Sequence, residues 1–380
     1  MSRNDPDIAL LADLVAIDSV NPSLVAGARG EERVARRIAA ELDAIGCQIE
    51  VTYVAEERPN VVGVLNGPEP GRTLMLCGHT DTVGVEGMTH PFAGDIRRGR
   101  LYGRGAQDMK GGLAAMIGAA RRIAQGGGLA RGRLVIAAVV DEEHASIGAD
   151  ALVREWSADA AVVTEPTGLD VAVCHKGFQW VQVETYGRAA HGSRPGEGRD
   201  AILRMGRVLQ RLEALDRRVQ SGRTHPMLGT ASLHASIVDG GHELSSYPAR
   251  ARLLFERRTL PGESGDVALI EAHEMLEALH REDAEFDGKA AMIFGRDGYE
   301  IDPASPLPEM LLQAGATAGL TPVRVGMSFW TDAAILSAAG IPSVLFGPGG
   351  AGLHSKEEYV IVDDVCRCRD VLANLAASFV

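Results

Sequence analysis

The stretch TLMLCGHTDTV, residues 73–83, predicts much of the architecture of this chain. Its first part is a short apolar run, and two polar side chains, His79 and Asp81, follow it directly. Two further apolar runs and an Ala-rich helical pattern lie at Asn60–Leu65, Leu134–Val140 and Gly112–Ile123. Short apolar strands that alternate with helices are typical of an α/β fold. We therefore expect a central, mostly parallel sheet.

The pattern changes after about His175, where apolar and polar residues begin to alternate as in half-exposed antiparallel strands. The alternating runs and the helical stretches between them lie at Gln179–Thr185, Ser232–Val238, Ala251–Glu256, Asp200–Leu215 and Val267–Leu279. Buried runs return from about Pro308. The sequence thus predicts a discontinuous larger domain, residues 1–175 and 291–380. Residues 176–290 would form an inserted α+β domain with a four-stranded antiparallel sheet and two helices.

Composition excludes several classes of protein. The 38 Lys and Arg residues stand against 51 Asp and Glu, a net charge of −13, and aromatic residues make up 4%. Binding to nucleic acid or to an acidic membrane needs a basic surface, so neither is expected. The five cysteines form no C-x-x-C pair, which favours buried free thiols in a reducing compartment. With a polar start and no long apolar run, the chain is expected to be cytoplasmic.

Residues suited to chemistry gather in five segments at the ends of predicted strands, each following an apolar run. They are CGHTDTV (77–83), GRGAQDMKGG (103–112), VVDEEHASIG (139–148), VTEPT (163–167) and GAGLHSKEE (350–358). The carboxyl ends of parallel strands meet at one edge of a sheet, where ligand sites are commonly built. A ligand set of histidines and carboxylates suits Zn, Mn or Co better than it suits metals that prefer thiolate ligands. The segments therefore predict a metal site at that edge.

Two local spacings refine this prediction. His79 and Asp81 are two residues apart on an extended segment, so they share a face. Asp81 could then accept the second ring proton of His79 and fix its tautomer. The adjacent Glu142 and Glu143 would point to opposite sides, so that one could bind metal while the other remains free as a base.

The ordered set of segments resembles the M20 metallopeptidases, a family that includes deacetylases, desuccinylases, aminoacylases and carboxypeptidases. The last segment extends to GPGGAGLHSKEE (347–358), and the resemblance covers nearly the whole chain. It implies a hydrolase-like catalytic domain, with the insertion acting as a lid and dimerisation domain. The partners it implies are a small N-acyl amino acid or short peptide as substrate and a second copy of the chain.

The resemblance also implies a dinuclear site for two divalent metal ions, zinc in the first place, with cobalt or manganese as alternatives. Asp108 would bridge both ions. His79 and Glu165 would complete the first site, and Glu143 and His354 the second. Glu142 would be the general base for a metal-bridging water, with Asp81 supporting the site. The family further carries a cis peptide bond after the bridging aspartate, here Asp108–Met109.

Residues of the inserted domain take roles by the same resemblance. His191 in GRAAHGSRPGEGRDAI (187–202) corresponds to a histidine that stabilises the oxyanion, often in the partner subunit's site. Arg258 in LLFERRTLPGE (253–263) matches an arginine that binds the substrate carboxylate, for which a planar guanidinium is well suited. Its neighbour Arg257 is expected to be a surface charge. Four further residues are expected to line the substrate pocket: Trp330, Asp332, Gly349 and Gly350.

Two departures from the family pattern mark a subgroup: Ser245 stands where many members have Asn, and Glu256 where many have Asp. The reaction we expect is hydrolysis of the amide bond of an N-acyl amino acid, with acetylornithine deacetylase as the leading activity. A carboxypeptidase or dipeptidase, or a desuccinylase, is the alternative within the family. A binding protein without catalysis is a remote alternative, because every expected metal-ligand position and the base are present.

Overall fold

A computed structural model describes residues 5–380. The α-helices are α1 (Pro6–Ala16), α2 (Glu32–Ile45), α3 (Gly111–Gln125), α4 (Ile147–Glu155), α5 (Ala201–Gln220), α6 (Val267–Glu282), α7 (Leu307–Thr317), α8 (Ala333–Ala338) and α9 (Val362–Phe379). The strands are β1 (Gln48–Ala55), β2 (Arg58–Asn66), β3 (Thr73–His79), β4 (Asp95–Arg97), β5 (Arg100–Tyr102), β6 (Arg133–Val139), β7 (Ala160–Val163), β8 (Val171–His175), β9 (Gly177–Tyr186), β10 (Thr224–His225), β11 (Gly229–Thr230), β12 (Ser232–Gly240), β13 (Arg250–Thr259), β14 (Asp287–Arg296), β15 (Tyr299–Glu300), β16 (Arg324–Met327), β17 (Ser343–Leu345), β18 (Gly350–Ala351) and β19 (Tyr359–Ile361). A π-helical turn, Ala106–Lys110, precedes α3.

The chain forms two compact units. The first comprises the described residues up to 173 together with 301–325 and 331–380. The second comprises residues 174–300 and 326–330. The predicted insertion, residues 176–290, ends inside β14, and the second unit continues to residue 300.

The first unit confirms the predicted α/β fold. The strands of its main sheet run in the order β1, β2, β6, β3, β7, β17, β8. The four central strands, β6, β3, β7 and β17, are mutually parallel, while β1 and β2 pair antiparallel at one side. Every residue of β3 is buried, as expected for a strand covered on both faces.

Helix α3 packs closely against the end of β7. A Cβ atom at Gly112 would lie 2.0 Å from the carbonyl oxygen of Thr164, a distance that no side chain can occupy. Only glycine therefore permits this approach. The contact brings the start of α3, and the turn before it, to the carboxyl edge of the sheet.

The second unit confirms the predicted four-stranded antiparallel sheet with two helices. Its strands run in the order β12, β13, β9, β14, and buried residues alternate along β13. Helices α5 and α6 contribute to one hydrophobic core with the buried face of this sheet, including Val181, Phe255, Val208 and Leu276. Alternation at period two decides which face each strand buries.

The expectation that Arg257 is a surface charge is wrong. Its side chain is 3% exposed and lies between two carboxylates. The Nη2 atom is 2.8 Å from Glu263 Oε1, and Nε is 2.7 Å from Glu271 Oε2. Glu263 and Glu271 come from the loop after β13 and from α6, so the local alternation along β13 could not reveal them.

The five cysteines are buried and unpaired, which agrees with the prediction of free thiols. Burial raises the pKa of Cys47 and Cys366 to about 11, so these thiols stay protonated near neutral pH. Within residues 5–380, no helix combines the length and the apolar character that crossing a bilayer requires. The cytoplasmic location stays a prediction.

His175 in the second unit predicts how stability depends on pH. It is fully buried beside Tyr299 and Trp330, and its Nδ1 atom lies 3.0 Å from the carbonyl oxygen of Lys176. Burial lowers the pKa of His175 from 6.5 to about 4, so the folded state holds the neutral ring. In the unfolded chain the His175 ring is protonated at a higher pH than in the folded protein. The folding stability that is present above pH 6.5 is therefore lost progressively as the pH falls toward 4.

We therefore expect acid to destabilise the wild type more than the variant His175→Phe, by roughly 3 kcal/mol at pH 4. Urea unfolding at pH 7 and at pH 4 measures this difference. His234→Phe, at an exposed position, is the control. Equal acid destabilisation of wild type and His175→Phe would contradict the prediction.

Candidate metal centre and catalytic site

Three strands of the parallel centre carry candidate ligands at their carboxyl ends. Strand β3 ends on His79, β6 is followed by Asp141, Glu142 and Glu143, and β7 is followed by Glu165. These strands are neighbours in the order β6, β3, β7, so the side chains meet at one edge of the sheet. This is the edge at which α/β proteins bind ligands.

Asp108 lies between two histidines. It belongs to the π-helical turn before α3, and the Asp108–Met109 peptide bond is cis, as the family resemblance implies. One carboxylate oxygen, Oδ1, lies 3.0 Å from Nε2 of His79, and Oδ2 lies 3.3 Å from Nε2 of His354. The same nitrogen of His354 is 3.0 Å from Glu143 Oε2. A carboxylate with one oxygen toward each of two separate ligand groups is placed as a bridge would be.

Two groups of side chains could each hold a metal ion, and Asp108 belongs to both. His79, Asp108 and Glu165 form the first group, and Asp108, Glu143 and His354 the second. The ligand atoms within each group all lie within 4.8 Å of one another. Glu143 Oε1 is buried and has no hydrogen-bond partner among the described residues. A buried acceptor without a donor, in a set of imidazole and carboxylate ligands, fits a divalent ion such as Zn²⁺, Mn²⁺ or Co²⁺.

The electrostatics of the cluster also favour a cation. Burial raises the pKa of Glu142 and Glu165 well above the usual value, and it raises the pKa of Glu143 to about 7 with help from Asp108. Hydrogen bonds to Asp108 and Glu143 raise the pKa of His354 to about 10. Several carboxylates thus share a volume with little water, where cations offset their mutual repulsion.

Glu142 lies beside the ligands but belongs to neither group. Its Oε2 atom is 4.0 Å from Nε2 of His79, and its side chain is 11% exposed. The neighbouring Glu143 belongs to the second group, so the two glutamates take different positions as the sequence suggested. Glu142 is thus a carboxylate that could move a proton next to the metal ligands.

Asp81 supports the site differently from the sequence-based expectation. The nearest acceptor for Nδ1 of His79 is the main-chain oxygen of Asp81 at 3.0 Å, while the carboxylate Oδ1 is 3.5 Å away. The carboxylate accepts hydrogen bonds instead from the backbone N–H groups of Glu142 (3.1 Å) and Glu143 (3.2 Å). One residue therefore orients a histidine through its backbone and the Glu142–Glu143 turn through its side chain.

A buried polar network, which the sequence did not predict, supports the Glu142–Glu143 turn. Asn21 donates to Asp81 Oδ2 (2.8 Å) and to Asp141 Oδ1 (3.0 Å). Arg58 lies 2.8 Å from the same oxygen of Asp141, and its Nε donates to Glu31 Oε2 at 2.9 Å. These residues come from separate segments of the chain, and nothing in their local sequence indicates that they meet.

The residues expected to line the substrate pocket are placed as follows. Trp330, in the second unit, is 8% exposed and donates from Nε1 to the carbonyl oxygen of Asp297 at 3.1 Å. Asp332 is buried near Glu142 and Glu165. Burial is the main cause of the raised pKa of both glutamates, and the charge of Asp332 raises it further. A Cβ atom at Gly350 would lie 2.2 Å from Tyr359 O, so this glycine is required by the pairing of β18 with β19. Gly349 donates its N–H to Asp364 Oδ2 at 3.1 Å.

In the second unit, Arg258 is held by its neighbours on the sheet. Its Nε donates to Glu256 Oε1 at 2.6 Å, and Trp180 Nε1 donates to Glu256 Oε2 at 2.8 Å. A third of the Arg258 side chain is exposed (33%). His191 is exposed in a loop, with Nδ1 2.8 Å from the hydroxyl of Ser193.

A third group of potential ligands, Cys174, His225 and Glu300, also lies in the second unit. The Nδ1 atom of His225 accepts hydrogen bonds from the backbone N–H groups of Met227 and Leu228, both at 3.2 Å. The proton of the neutral ring therefore sits on Nε2, which faces Glu300 Oε1 at 3.3 Å. A nitrogen that carries a proton cannot bind metal, so in this tautomer the group is a polar contact between His225 and Glu300 beside a thiol.

Comparison with known proteins identifies the family. The profile of peptidase family M20/M25/M40 matches residues 75–378. An acetylornithine deacetylase of Myxococcus xanthus is 30% identical over 98% of this chain and 97% of its own length. An N-formyl-4-amino-5-aminomethyl-2-methylpyrimidine deformylase of Halalkalibacterium halodurans is 28% identical over 90% and 86%.

The fold is shared with solved structures as well. A Bacillus subtilis protein described as a dinuclear metal binding peptidase from the M20 family superimposes with a TM-score of 0.75. It is 17% identical and the match covers 98% of this chain and 97% of that one. The family match spans most of the chain and includes the segments that bear the candidate ligands. The chain therefore belongs to peptidase family M20/M25/M40, a family of metal-dependent hydrolases.

Proposed function

We propose that this protein is a metal-dependent amidohydrolase that cleaves the amide bond of an N-acyl amino acid, with acetylornithine as the leading substrate. The observation that carries the proposal is the Asp108 carboxylate set between His79 and His354, with Glu142 beside them but outside both ligand groups. A pair of ligand groups with one spare carboxylate fits hydrolysis by an activated water.

His79, Asp108 and Glu165 would hold one divalent ion, and Asp108, Glu143 and His354 the other; we propose zinc, with cobalt or manganese as alternatives. When bound, such ions lower the pKa of water and polarise a carbonyl group, which supplies the nucleophile and activates the amide. The chain itself supplies the proton transfers. Asp81 holds the backbone of Glu142 and Glu143, which fixes the position of the base relative to the ligands.

Glu142 would accept the proton of the attacking water on its carboxylate and pass it to the departing amine. Burial raises the pKa of Glu142 above that of an ordinary glutamate, so its carboxylate is a stronger base for this proton transfer. After the amide bond breaks, the products would be a carboxylic acid and a free amino acid.

The amino-acid part of the substrate is proposed from the relatives and from Arg258. One relative is named for an N-acetyl amino acid and another for an N-formyl amine, so the names of both refer to amides with small acyl groups. Arg258 would bind the free carboxylate of the amino acid. Its Nε is occupied by Glu256, and the terminal Nη atoms have no hydrogen-bond partner among the described residues, so a carboxylate could bind them end-on.

The primary test is release of amine from N-acetyl-L-ornithine after chelator treatment and reconstitution with Zn²⁺ or Co²⁺. N-formyl and N-succinyl amino acids and dipeptides form the comparison panel. Release from acetylornithine supports the proposed activity. Release from dipeptides alone would indicate a peptidase instead of a deacetylase. Release from N-succinyl substrates alone would indicate a desuccinylase. If metal is bound and no substrate releases amine, the alternative of a binding protein without catalysis would be favoured.

The base assignment predicts that Glu142→Gln lowers kcat by at least ~10²-fold, because the side chain can no longer accept a proton. Its metal content should stay near two ions per chain, since Glu142 belongs to neither ligand group. Metal analysis of the same preparation checks this. Glu357→Gln, at an exposed site, is the matched control. Loss of metal in Glu142→Gln would show that this glutamate is a ligand.

The role of Arg258 predicts that Arg258→Lys raises KM for N-acyl amino acids about 10- to 100-fold, because a lysine cannot bind a carboxylate through two parallel hydrogen bonds. The kcat should change little, and the methyl ester of the same substrate should respond weakly to the substitution. Arg252→Lys, on the same strand and 40% exposed, is the control. Equal effects on acid and ester would refute carboxylate binding by Arg258.

We further propose that the chain forms a homodimer through the second unit and that His191 acts as an oxyanion donor in the partner's site. Strand β12 lies at the edge of its sheet and exposes Ile237, Val238 and, after the strand, Leu244. An exposed apolar edge strand is suited to pairing with a second copy.

Light scattering should then give twice the chain mass, and Ile237→Lys combined with Val238→Lys should yield a monomer. His191→Ala should lower kcat roughly 10²-fold in the dimer. Mixing inactive Glu142→Gln and His191→Ala subunits should restore part of the activity. A wild-type monomer with full activity would contradict the role of His191 across the dimer.

A further inference from the structure

Arg104 and Glu358 form a buried ion pair in the first unit. The two residues are 3% and 1% exposed, and Arg104 Nη1 lies 2.6 Å from Glu358 Oε2. They are 254 residues apart in the chain. Neither belongs to a group of potential metal ligands. A buried pair of charges is costly unless hydrogen bonds use its remaining donors and acceptors, so its other contacts show what the pair holds in place.

Glu358 holds the turn that carries Asp108. Its Oε1 accepts hydrogen bonds from the backbone N–H groups of Gln107 (2.9 Å) and Asp108 (3.2 Å). Its Oε2 accepts the N–H of Gly105 at 3.1 Å in addition to Arg104. A carboxylate has about four lone-pair positions, and this one uses all of them. The backbone of the shared ligand is therefore fixed by a side chain from the far end of the sequence.

Arg104 extends the same arrangement to two other loops. Its Nη2 donates to the carbonyl oxygen of Ser355 at 3.1 Å, directly after His354. Its Nε donates to the carbonyl oxygen of Gly84 at 3.0 Å, on the loop after His79 and Asp81. A planar guanidinium can reach three acceptors in fixed directions at once. The loop with His354 is thereby tied to the turn with Asp108.

We propose that Arg104 and Glu358 are positioning residues that set the affinity for the second metal ion by holding Asp108 and His354 in register. This inference rests on the dinuclear centre of the proposed function. The first ion relies on His79 and Glu165, which the parallel sheet places directly at strand ends. The second relies on His354, which lies on a loop, has a left-handed backbone (φ 56°) and a half-exposed side chain.

The test is a calorimetric titration of the chelator-stripped full chain with Co²⁺, comparing wild type with Glu358→Gln. Glutamine offers a single oxygen, and its amide N–H₂ would face Arg104 and Gly105, so at least two donors lose their acceptor. We expect the dissociation constant of the second ion to rise about 10- to 100-fold, the usual effect of losing a residue that orients a ligand. The constant of the first ion should rise much less. Glu358→Asp, which keeps the charge, should recover part of the loss.

Asp7→Asn is the matched control. Asp7 is a buried carboxylate of the same unit (3% exposed), paired with Arg369 of α9 at 2.8 Å and with Arg121 of α3, neither of which lies in a ligand loop. Its variant should lose thermal stability but bind both ions as wild type does. Unchanged binding of the second ion by Glu358→Gln, or an equal loss for both ions, would overturn the inference.

A second variant covers the case in which Glu358→Gln does not fold. Arg104→Lys keeps the charge but replaces the fork with a single nitrogen, so it cannot hold Gly84, Ser355 and Glu358 together. Arg104→Lys should also raise the dissociation constant of the second ion more than that of the first. Arg369→Lys is its control. A wild type that binds fewer than two ions would overturn both the proposed function and this inference. A wild type that binds two ions without hydrolysing any panel substrate would overturn the proposed activity alone, since the titration still decides the role of the pair.

Discussion

The Asp108 carboxylate between His79 and His354 is the interaction on which the rest of the first unit depends. Its two oxygens face the two imidazoles at 3.0 and 3.3 Å, so one side chain serves both ligand groups. The sheet supplies one histidine at a strand end and a distant loop supplies the other. The cluster can therefore form only when the sheet, the turn at Asp108 and the C-terminal segment have all folded together.

The residues around the cluster offset the free-energy cost of burying several carboxylates. Carboxylates in a buried volume repel one another and lose hydration, so each needs a cation or a hydrogen-bond donor. The side chains of Asp81 and Glu358 receive backbone N–H groups, and Asp141 receives Arg58 and Asn21. Glu143 keeps one oxygen without a donor among the described residues. The protein thus satisfies the supporting carboxylates and leaves the ligating ones available.

The side chains with proposed roles in catalysis and substrate binding are divided between the two units. The ligand groups and Glu142 lie in the first unit, whereas Arg258 and His191 lie in the second. Relatives that share the whole length of the chain bear names with different acyl groups. Since hydrolysis of any of these amides needs the same nucleophile and the same proton transfers, differences among them arise where the rest of the substrate is bound.

The sequence by itself determined the α/β fold, the four-stranded antiparallel sheet and the candidate ligands that follow β3, β6 and β7, because strand burial and the residues after a strand are local properties. Asp108 and His354 follow no strand of the central sheet, contrary to the expectation for all five segments, and only the family resemblance indicated them as ligands. It predicted that Asp81 would act on His79 and that Arg257 would be exposed. The tertiary structure assigned the Asp81 carboxylate to the Glu142–Glu143 turn and buried Arg257 between two carboxylates. It alone joined Arg104 to Glu358 across 254 residues. Hydrogen-bond partners so far apart are chosen by how the chain packs, which no local pattern records.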